Sequence, residues 1–379
     1  MTAPTLAELD DDPHGVLARL RVEAPVVWVP DLDSWLVTRW VDIERVEADA
    51  ETFTAELPDS PLSRTIGPNM LHSDGARHAV LRDSIAPVLR PGPLRAWAER
   101  VVPDVAMSLL DVLPHGEPVE LIASYAEPLA VRVLQQLLGL PAQPDLVLRS
   151  WFNGIGAGAA NFRRDPVVQE VGDAASRAVD DAVAPVLSGD VPAAAGTLLA
   201  SLVTGDLSAD EVRGIVKLMI IGGMQEPRDL VGTALAVLAT QSDVEAAVRA
   251  DPGLLARFLE ECLRWNSPVG TATRRATRDV VLADVEIPVG ATVSAALMSA
   301  NRDEARWRDP HEFRLDREEG SHAAFALGRH SCPGAGLARL LARIAVEAVL
   351  ATTPRLGPAV RVEERGFEFR GPSCVAVVW

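Results

Sequence analysis

The chain has 379 residues, 48% hydrophobic and 23% charged, the composition of a folded globular protein and not of a disordered, collagen-like or coiled-coil one. Thirty-six basic against fifty-three acidic side chains leave a net charge of −17, which argues against affinity for nucleic-acid phosphates. No run approaches the roughly 18 apolar residues of a membrane span. The opening Met1-Thr-Ala-Pro-Thr-Leu-Ala-Glu-Leu-Asp-Asp-Asp is acidic and lacks a basic–apolar leader pattern, so a cytoplasmic location with neither nucleic-acid nor membrane partners is expected.

In chain order, Val26-Val-Trp-Val-Pro30 and Ser34-Trp-Leu-Val-Thr38 predict two short strands joined by a polar Asp-Leu-Asp turn. From about Leu81 to Leu350 helical periodicity dominates, with segments at Leu94–Leu113, Tyr125–Leu138, Ala174–Leu187, Ala209–Leu238 and Val244–Trp265. Prolines such as Pro103, Pro141, Pro185 and Pro252 punctuate them. Past Pro268, strand patterns return at Val280–Leu282 and Ala291–Leu297, followed by a loop-rich stretch over Asn301–His330. A last helix over Gly334–Leu350 and a strand over Ser373–Val378 close the chain. Strand patches at both ends of a helical bulk, with no internal repeat and no Gly/Ser linker, predict one domain over residues 1–379, mainly α with small β sheets.

The three cysteines, Cys262, Cys332 and Cys374, include no C-x-x-C pair, which excludes a disulfide framework and a thiolate zinc or iron–sulfur site. Cys262 in a helical pattern and Cys374 in a strand pattern read as buried filler. Cys332 differs. It lies in Phe325-Ala-Leu-Gly-Arg-His-Ser-Cys-Pro-Gly-Ala335, between a Gly-containing turn and an amphipathic helix carrying Leu337, Leu340, Leu341 and Ile344. Helix-start amides and the positive end of the helix dipole favour a thiolate over a thiol. Gly328 and Gly334 permit a tight backbone around the sulfur, and Phe325 is positioned to cover it. A thiolate held this way suits axial ligation of haem iron. A buried helix-capping cysteine is the other reading of the loop alone.

The pattern F-x-x-G-x-H-x-C-x-G, here Phe325, Gly328, His330, Cys332 and Gly334, resembles the haem-binding loop of the cytochromes P450. Three further segments resemble that family, in its order. Glu261-Cys-Leu-Arg264 is similar to its E-x-x-R pair, two side chains one helical turn apart that lock the core behind the haem. Asn301-Arg-Asp303 and Asp309-Pro-His-Glu-Phe313 resemble the later segment that joins the pair. In Asp74-Gly-Ala-Arg-His78-Ala-Val-Leu-Arg82, His78 and Arg82 match the family's H-x-x-x-R contacts to a haem propionate. Arg274 and His330 match further propionate contacts. The third segment is Ile220-Ile-Gly-Gly223-Met-Gln225-Glu226-Pro227, where the family has its distal helix. The resemblance implies a single-domain cytochrome P450 fold, haem b (iron protoporphyrin IX) as cofactor and Cys332 as iron ligand. It also implies monooxygenase chemistry, hydroxylation or O-dealkylation, on a small to medium hydrophobic molecule.

The distal segment departs from the family. Aligned on Gly223, it carries Gln225 and Glu226 where an acid and a threonine are usual. Glu226 would place a carboxyl where the hydroxyl relays protons, and an apolar pocket would raise its pKa enough to make it a proton shuttle. Pro227 frees the carbonyl of Gly223 and kinks the helix, while Gly222 and Gly223 make room. The Gln-Glu-Pro segment, Phe369-Arg-Gly-Pro-Ser and the closing Val-Val-Trp379 resemble the P450s that O-demethylate guaiacol-type methoxyarenes. Two phenylalanines expected there are replaced by Ile66 and roughly Ala159, and the Gly/Ala run at 154–160 suggests a roomier or more mobile lid.

By analogy of fold, the pocket candidates are Ile66, Met70, Ile155, Ala159, Met219, Met224, Val269, Thr271, Met298 and Phe369, each equally readable as core. No flavin or iron–sulfur module is fused to the chain, so electrons would come from a ferredoxin, ferredoxin reductase or similar donor. Arg90, Arg95, Arg339 and Arg343 are the candidate docking cations. Three readings stay open: an oxygen-using monooxygenase, natural-product tailoring included; a peroxide-using enzyme with Glu226 as acid–base; and a haem sensor without turnover.

Overall fold

The computed structural model describes residues 3–353, 355–357 and 359–379. Helices α1 (Leu6–Asp11) and α2 (Pro13–Glu23) lead into a hairpin of β1 (Val26–Val29) and β2 (Ser34–Val37), closed by Asp33 in the left-handed region. Next come α3 (Trp40–Ala48), β3 (Phe53–Thr54), α4 (Pro61–Ile66), α5 (Gly75–Leu89), α6 (Pro91–Leu110) and β4 (Pro118–Glu120). The helical bulk continues with α7 (Glu127–Leu138), α8 (Asp145–Ala159), α9 (Pro166–Leu187), α10 (Leu198–Val203) and α11 (Ala209–Thr240), then α12 (Ser242–Ala250) and α13 (Leu255–Trp265). Strands β5 (Thr271–Ala276), β6 (Val280–Leu282), β7 (Val285–Ile287) and β8 (Thr292–Ala296) follow, then α14 (Leu297–Ala300), α15 (Ala335–Thr352), β9 (Ala359–Arg365) and β10 (Gly371–Val378).

Helix α11 is the axis of the molecule. Its start is set by a capping box: Ser208 Oγ accepts from the Glu211 amide, and the Glu211 carboxylate accepts from the Ser208 amide at 3.0 Å. At 32 residues it is about 48 Å long, and it stays helical through Pro227. One apolar cluster gathers α6, α7, α13, α15 and the C-terminal half of α11; a second gathers α4, α8, α9, α10 and its N-terminal half. The single helix predicted over Val244–Trp265 is two, because Pro252 has no amide to continue the ladder and Asp251 accepts from Gly253 at 2.9 Å instead.

The hairpin at residues 26–37 is joined by partners that no local pattern reveals. The sheet order is β1-β2-β8-β5-β3, with β2 parallel to β8 and Leu36 opposite Ser294. Strand β10 pairs with β4 and β9, and an isolated bridge joins Val269 to Phe369.

Arg264 and Glu261 on α13 are 2% and 4% exposed. Their carboxylate–guanidinium contact is bidentate, both bonds 2.7 Å. The other Arg264 donors reach the carbonyls of Asn301 (3.0 Å), Pro310 (2.8 Å) and Glu312 (2.9 Å). Arg317, absent from the sequence reading, donates to Glu261 at 2.8 Å and to the carbonyls of Arg308, Asp309 and Glu312. The pair thus tethers the loop that precedes Cys332.

The glycines of α8 serve packing. A Cβ on Gly158 would sit 2.7 Å from Thr65 Oγ1 and 3.0 Å from Gly172 of α9, and one on Gly154 would collide with Ala175. The roomier lid expected from the 154–160 run is therefore not observed: these glycines let α8 and α9 approach each other and α4. Only Gly156 of the three has open space beside it.

Two outcomes follow. Arg264→Met leaves Glu261 with Arg317 as its remaining cation and strips buried carbonyls of their donor, and should cost about 3–5 kcal/mol in denaturant unfolding; a loss below about 1 kcal/mol would show the clamp to be dispensable. Gly158→Val should destabilise by about 1–3 kcal/mol through overpacking, whereas Gly156→Ala should stabilise by up to about 1 kcal/mol through helix propensity. Equal effects of the two would remove the close-packing account of the lid.

Candidate functional site

The loop before α15 is built to present one sulfur. The Cys332 amide donates to the Phe325 carbonyl at 2.8 Å, closing a hairpin-like turn. Gly328 has φ +65, and a Cβ there would come within 2.7 Å of the Glu47 carbonyl, so the turn accepts glycine alone on both counts. Phe325 packs under the guanidinium of Arg339, 4.5 Å from its ring centre. The sulfur receives the amides of Gly334 and Ala335 at the start of α15. Cys332 is exposed on this side of the loop; at the sulfur itself desolvation pushes the thiol up and Glu226 adds to this, with the two amides and Arg82 opposing. Cys262 is buried as filler, whereas Cys374 is half-exposed.

The cationic and imidazole groups gather beside this loop. His78 and His330 stack with ring centres 4.2 Å apart, and the buried His78 Nε2 has no partner. His330 Nε2 meets Asp74 Oδ1 at 3.0 Å, and burial lowers the His330 pKa to about 4 despite that carboxylate. Asp74 also accepts from Thr54 Oγ1 (2.6 Å) and the Ala55 amide (2.7 Å). Arg82 donates to the Ser331 carbonyl at 2.8 Å. Arg274 is buried and paired with Glu47 at 2.9 Å, so this guanidinium already has a carboxylate partner inside the protein. One sulfur, an orphaned imidazole nitrogen and two guanidinium groups around a single loop fit an iron porphyrin carrying two carboxylates: Cys332 for the metal, His78, Arg82, His330 and Arg274 for the propionates. Glu47 and Asp74 were not foreseen. Asp74 stands at the N-cap of α5, but its side chain makes no cap bond and meets Thr54, Ala55 and His330 instead.

Opposite lies the kinked-by-sequence segment of α11. Glu226 Oε1 rests 3.9 Å from the place a Gly222 Cβ would occupy, and its buried Oε2 has no hydrogen-bond partner. Burial raises its pKa to about 8, Asp229 adding to the rise. The two other distal candidates do not share this place. A Cβ on Gly223 would meet Leu134 of α7 at 2.7 Å, so Gly223 is a helix-contact position and Gly222 makes the room. Gln225 acts on Asp229, one turn on, favouring its charged form.

The pocket candidates divide. Ile66, Met70, Ile155, Ala159, Met219, Met224 and Phe369 all belong to the second apolar cluster, around α4, α8 and α11. Within it, Ile66 (1% exposed), Ile155 (0%), Met70 (4%) and Met224 (4%) are sealed by their neighbours and are core, not lining. Ala159, Met219 and Phe369 keep open surface, as does Val269, which the bridge to Phe369 brings to the same place. Met298 is also core, packed under α1 and α2 with Leu9 and Leu17. Thr271 is opposite Ala296 on that same sheet face and donates to Glu368 at 2.7 Å. Alternation along β5 places Thr271 away from the Arg274 face.

The expected basic patch is largely neutralised. Arg339 pairs with Glu260 at 2.6 Å, Arg343 with Glu347 at 2.9 Å, and Arg95 approaches Glu99 at 3.9 Å. Arg90 is exposed. Among the described residues, no helix is long and apolar enough to cross a membrane.

Comparison with known proteins agrees with this geometry. Residues 205–352 match the family model for cytochrome P450. The chain is 34% identical to cytochrome P450 107B1 of Saccharopolyspora erythraea, over 97% of this chain and 95% of that one. It is 33% identical to the cytochrome P450 monooxygenase PikC of Streptomyces venezuelae, over 91% and 85%. The ligand-free structure of cytochrome P450 TbtJ1 superposes with a TM-score of 0.87 at 30% identity, covering 99% of both chains. That of the tirandamycin C-bound monooxygenase TamI does so with 0.86 at 28%, over 100% and 99%. At these identities and coverages, and with a mainly helical fold that superposes on theirs, the chain belongs to the cytochrome P450 family of haem-iron monooxygenases.

Proposed function

We propose that this chain is a haem b monooxygenase that hydroxylates or O-dealkylates a small to medium apolar molecule. It would consume dioxygen, two protons and two electrons, the electrons coming from a separate donor such as a ferredoxin or its reductase. The observation that carries this reading is the Cys332 loop: a sulfur receiving two helix-start amides, faced by a partnerless His78 and by Arg82. When bound, the haem supplies dioxygen activation and C–H oxidation. The chain's part is to ligate through Cys332, to neutralise the propionates, and to hold a proton on Glu226. The proposed substrate face is Met219, Val269, Phe369 and Ala159, apolar except for that carboxyl.

Glu226 favours an enzyme over a sensor, because a group poised to exchange protons near neutral pH has no use in a site that only binds. It also carries the second reading, peroxide use, in which the same carboxyl exchanges a proton with the oxidant. The relative named as a 6-deoxyerythronolide B hydroxylase and the tirandamycin complex of TamI support a natural-product substrate. A methoxyarene is supported by Phe369 standing in the apolar cluster beside the Gln-Glu-Pro turn, although Ile66 is buried away from any ring.

The reduced, carbon-monoxide-treated protein should absorb at the long-wavelength position of thiolate ligation, and Cys332→Ser should abolish that band. Its absence from the parent would end this reading. In the same preparation, a Soret titration should shift with macrocyclic products or with methoxyarenes, ranking the two substrate classes. Glu226→Gln should slow turnover on the order of tenfold to hundredfold. The acid form of Glu226 persists below about 8, so the parent rate should fall as pH rises through that value while the variant's stays flat. Run on peroxide alone, equal and negligible rates for both proteins would discard the peroxide route.

A further inference from the structure

Two carboxyl groups, the half-buried Glu226 and the fully buried Asp229, stand one turn apart in the middle of α11, each with a buried unpartnered oxygen, and the oxygen chemistry proposed above uses only one. Asp229 is 0% exposed. Its Oδ1 accepts from Arg228 Nε at 2.8 Å and Nη2 at 2.6 Å, and Gln225 also favours its charged form. Its Oδ2 is buried with no partner, as is Oε2 of Glu226. The fold makes space for this group: a Cβ on Gly371 of β10 would collide with the Asp229 carboxyl. A single cation therefore serves two desolvated acids. Glu127 on α7 is paired with Arg149 of α8 and adds negative potential at Asp229, while Cys332 lies across from Glu226. Residues i and i+3 share a helix face, so each carboxyl feels the charge of the other. Two carboxylates in one dry site do not both ionise when one counter-charge is present.

We propose that Glu226 and Asp229 hold one proton between them, with Arg228 drawing the negative charge onto Asp229 so that Glu226 presents a neutral acid to the distal side of the haem site. This rests on the family assignment and deepens the role given to Glu226. Asp229 acts through Glu226 and is a positioning residue. One O–H bond serves the pair; it resides on Glu226, and the proton released when that bond breaks at higher pH passes to bulk water. The arrangement explains why the Gln-Glu-Pro segment works without a hydroxyl: a carboxylic acid is a donor only while neutral, and the charged neighbour keeps it so. Gln225, aimed at Asp229, helps hold the charge on that member of the pair.

The test is an infrared titration of the haem-loaded enzyme from pH 5 to pH 9, following the C=O stretch of protonated carboxyl groups. This readout is independent of turnover. The parent should show a buried protonated-carboxyl band at neutral pH that Glu226→Gln removes. In Asp229→Asn the neighbouring charge is gone, and the midpoint at which the band disappears should fall by about one pH unit, a tenfold change in acidity. Arg228→Gln, altered at a partly exposed position, should move the midpoint upward, because the pair then has no counter-charge. That variant keeps the test open should Asp229→Asn fold poorly. A band that survives Glu226→Gln, or a midpoint unmoved by Asp229→Asn or Arg228→Gln, overturns the shared proton. If the midpoints move as stated but Glu226→Gln turns over at the parent rate, the shared proton stands and the catalytic role assigned to Glu226 falls instead.

Discussion

The structure depends on one buried guanidinium. Arg264 has five N–H groups, and all five are spent: two on Glu261 and three on the carbonyls of Asn301, Pro310 and Glu312. Those carbonyls belong to a long loop with little secondary structure, which by itself would be expected to wander. Arginine at the centre converts that loop into a fixed support, and Arg317 repeats the device from the loop side by bonding Glu261 and three further carbonyls. A buried ion pair is poor evidence for stability as such, since desolvation offsets much of its attraction. Its use here is positional: the loop it orders runs directly into the turn that carries Cys332.

The polar groups around the site are arranged by the same logic, with each charge given a partner that leaves one function free. Asp74 takes one nitrogen of His330, so that the imidazole stacks on His78 in a defined orientation. Glu47 takes Arg274, which keeps a buried cation neutralised in the protein itself. On the distal side Arg228 takes Asp229 and not Glu226. The carboxyl that faces the site is thus the one without a counter-ion, which is the condition for it to carry a proton near neutral pH.

Close packing explains features that composition alone misrepresents. A run of glycines and alanines over 154–160 reads as looseness, yet Gly154 and Gly158 lie against Ala175, Gly172 and Thr65. Small side chains bring two helices together when they face each other and loosen a segment only when they face nothing. Gly223 and Gly222 make the same point one helical turn before the distal acid, one contacting Leu134 and the other leaving space.

By itself the sequence determined the helical bulk, the hairpin at residues 26–37, the thiol loop and the order of the E-x-x-R, H-x-x-x-R and distal segments, because each is written within about ten consecutive residues. It also singled out Glu226, since an acid beside two glycines and a proline is a local departure from a local pattern. Only the tertiary structure decided what lies between elements. Glu47 meets Arg274 and Asp74 meets His330 across more than two hundred residues. The parallel pairing of β2 with β8 is equally distant in sequence. The same limit sorted the pocket candidates: Ile66 and Met219 are indistinguishable as apolar residues at helical spacing, but one is enclosed by α8 and α11 while the other keeps an open face. Periodicity reports which side of an element is apolar; what that side touches is settled only when all the elements compete for the same volume.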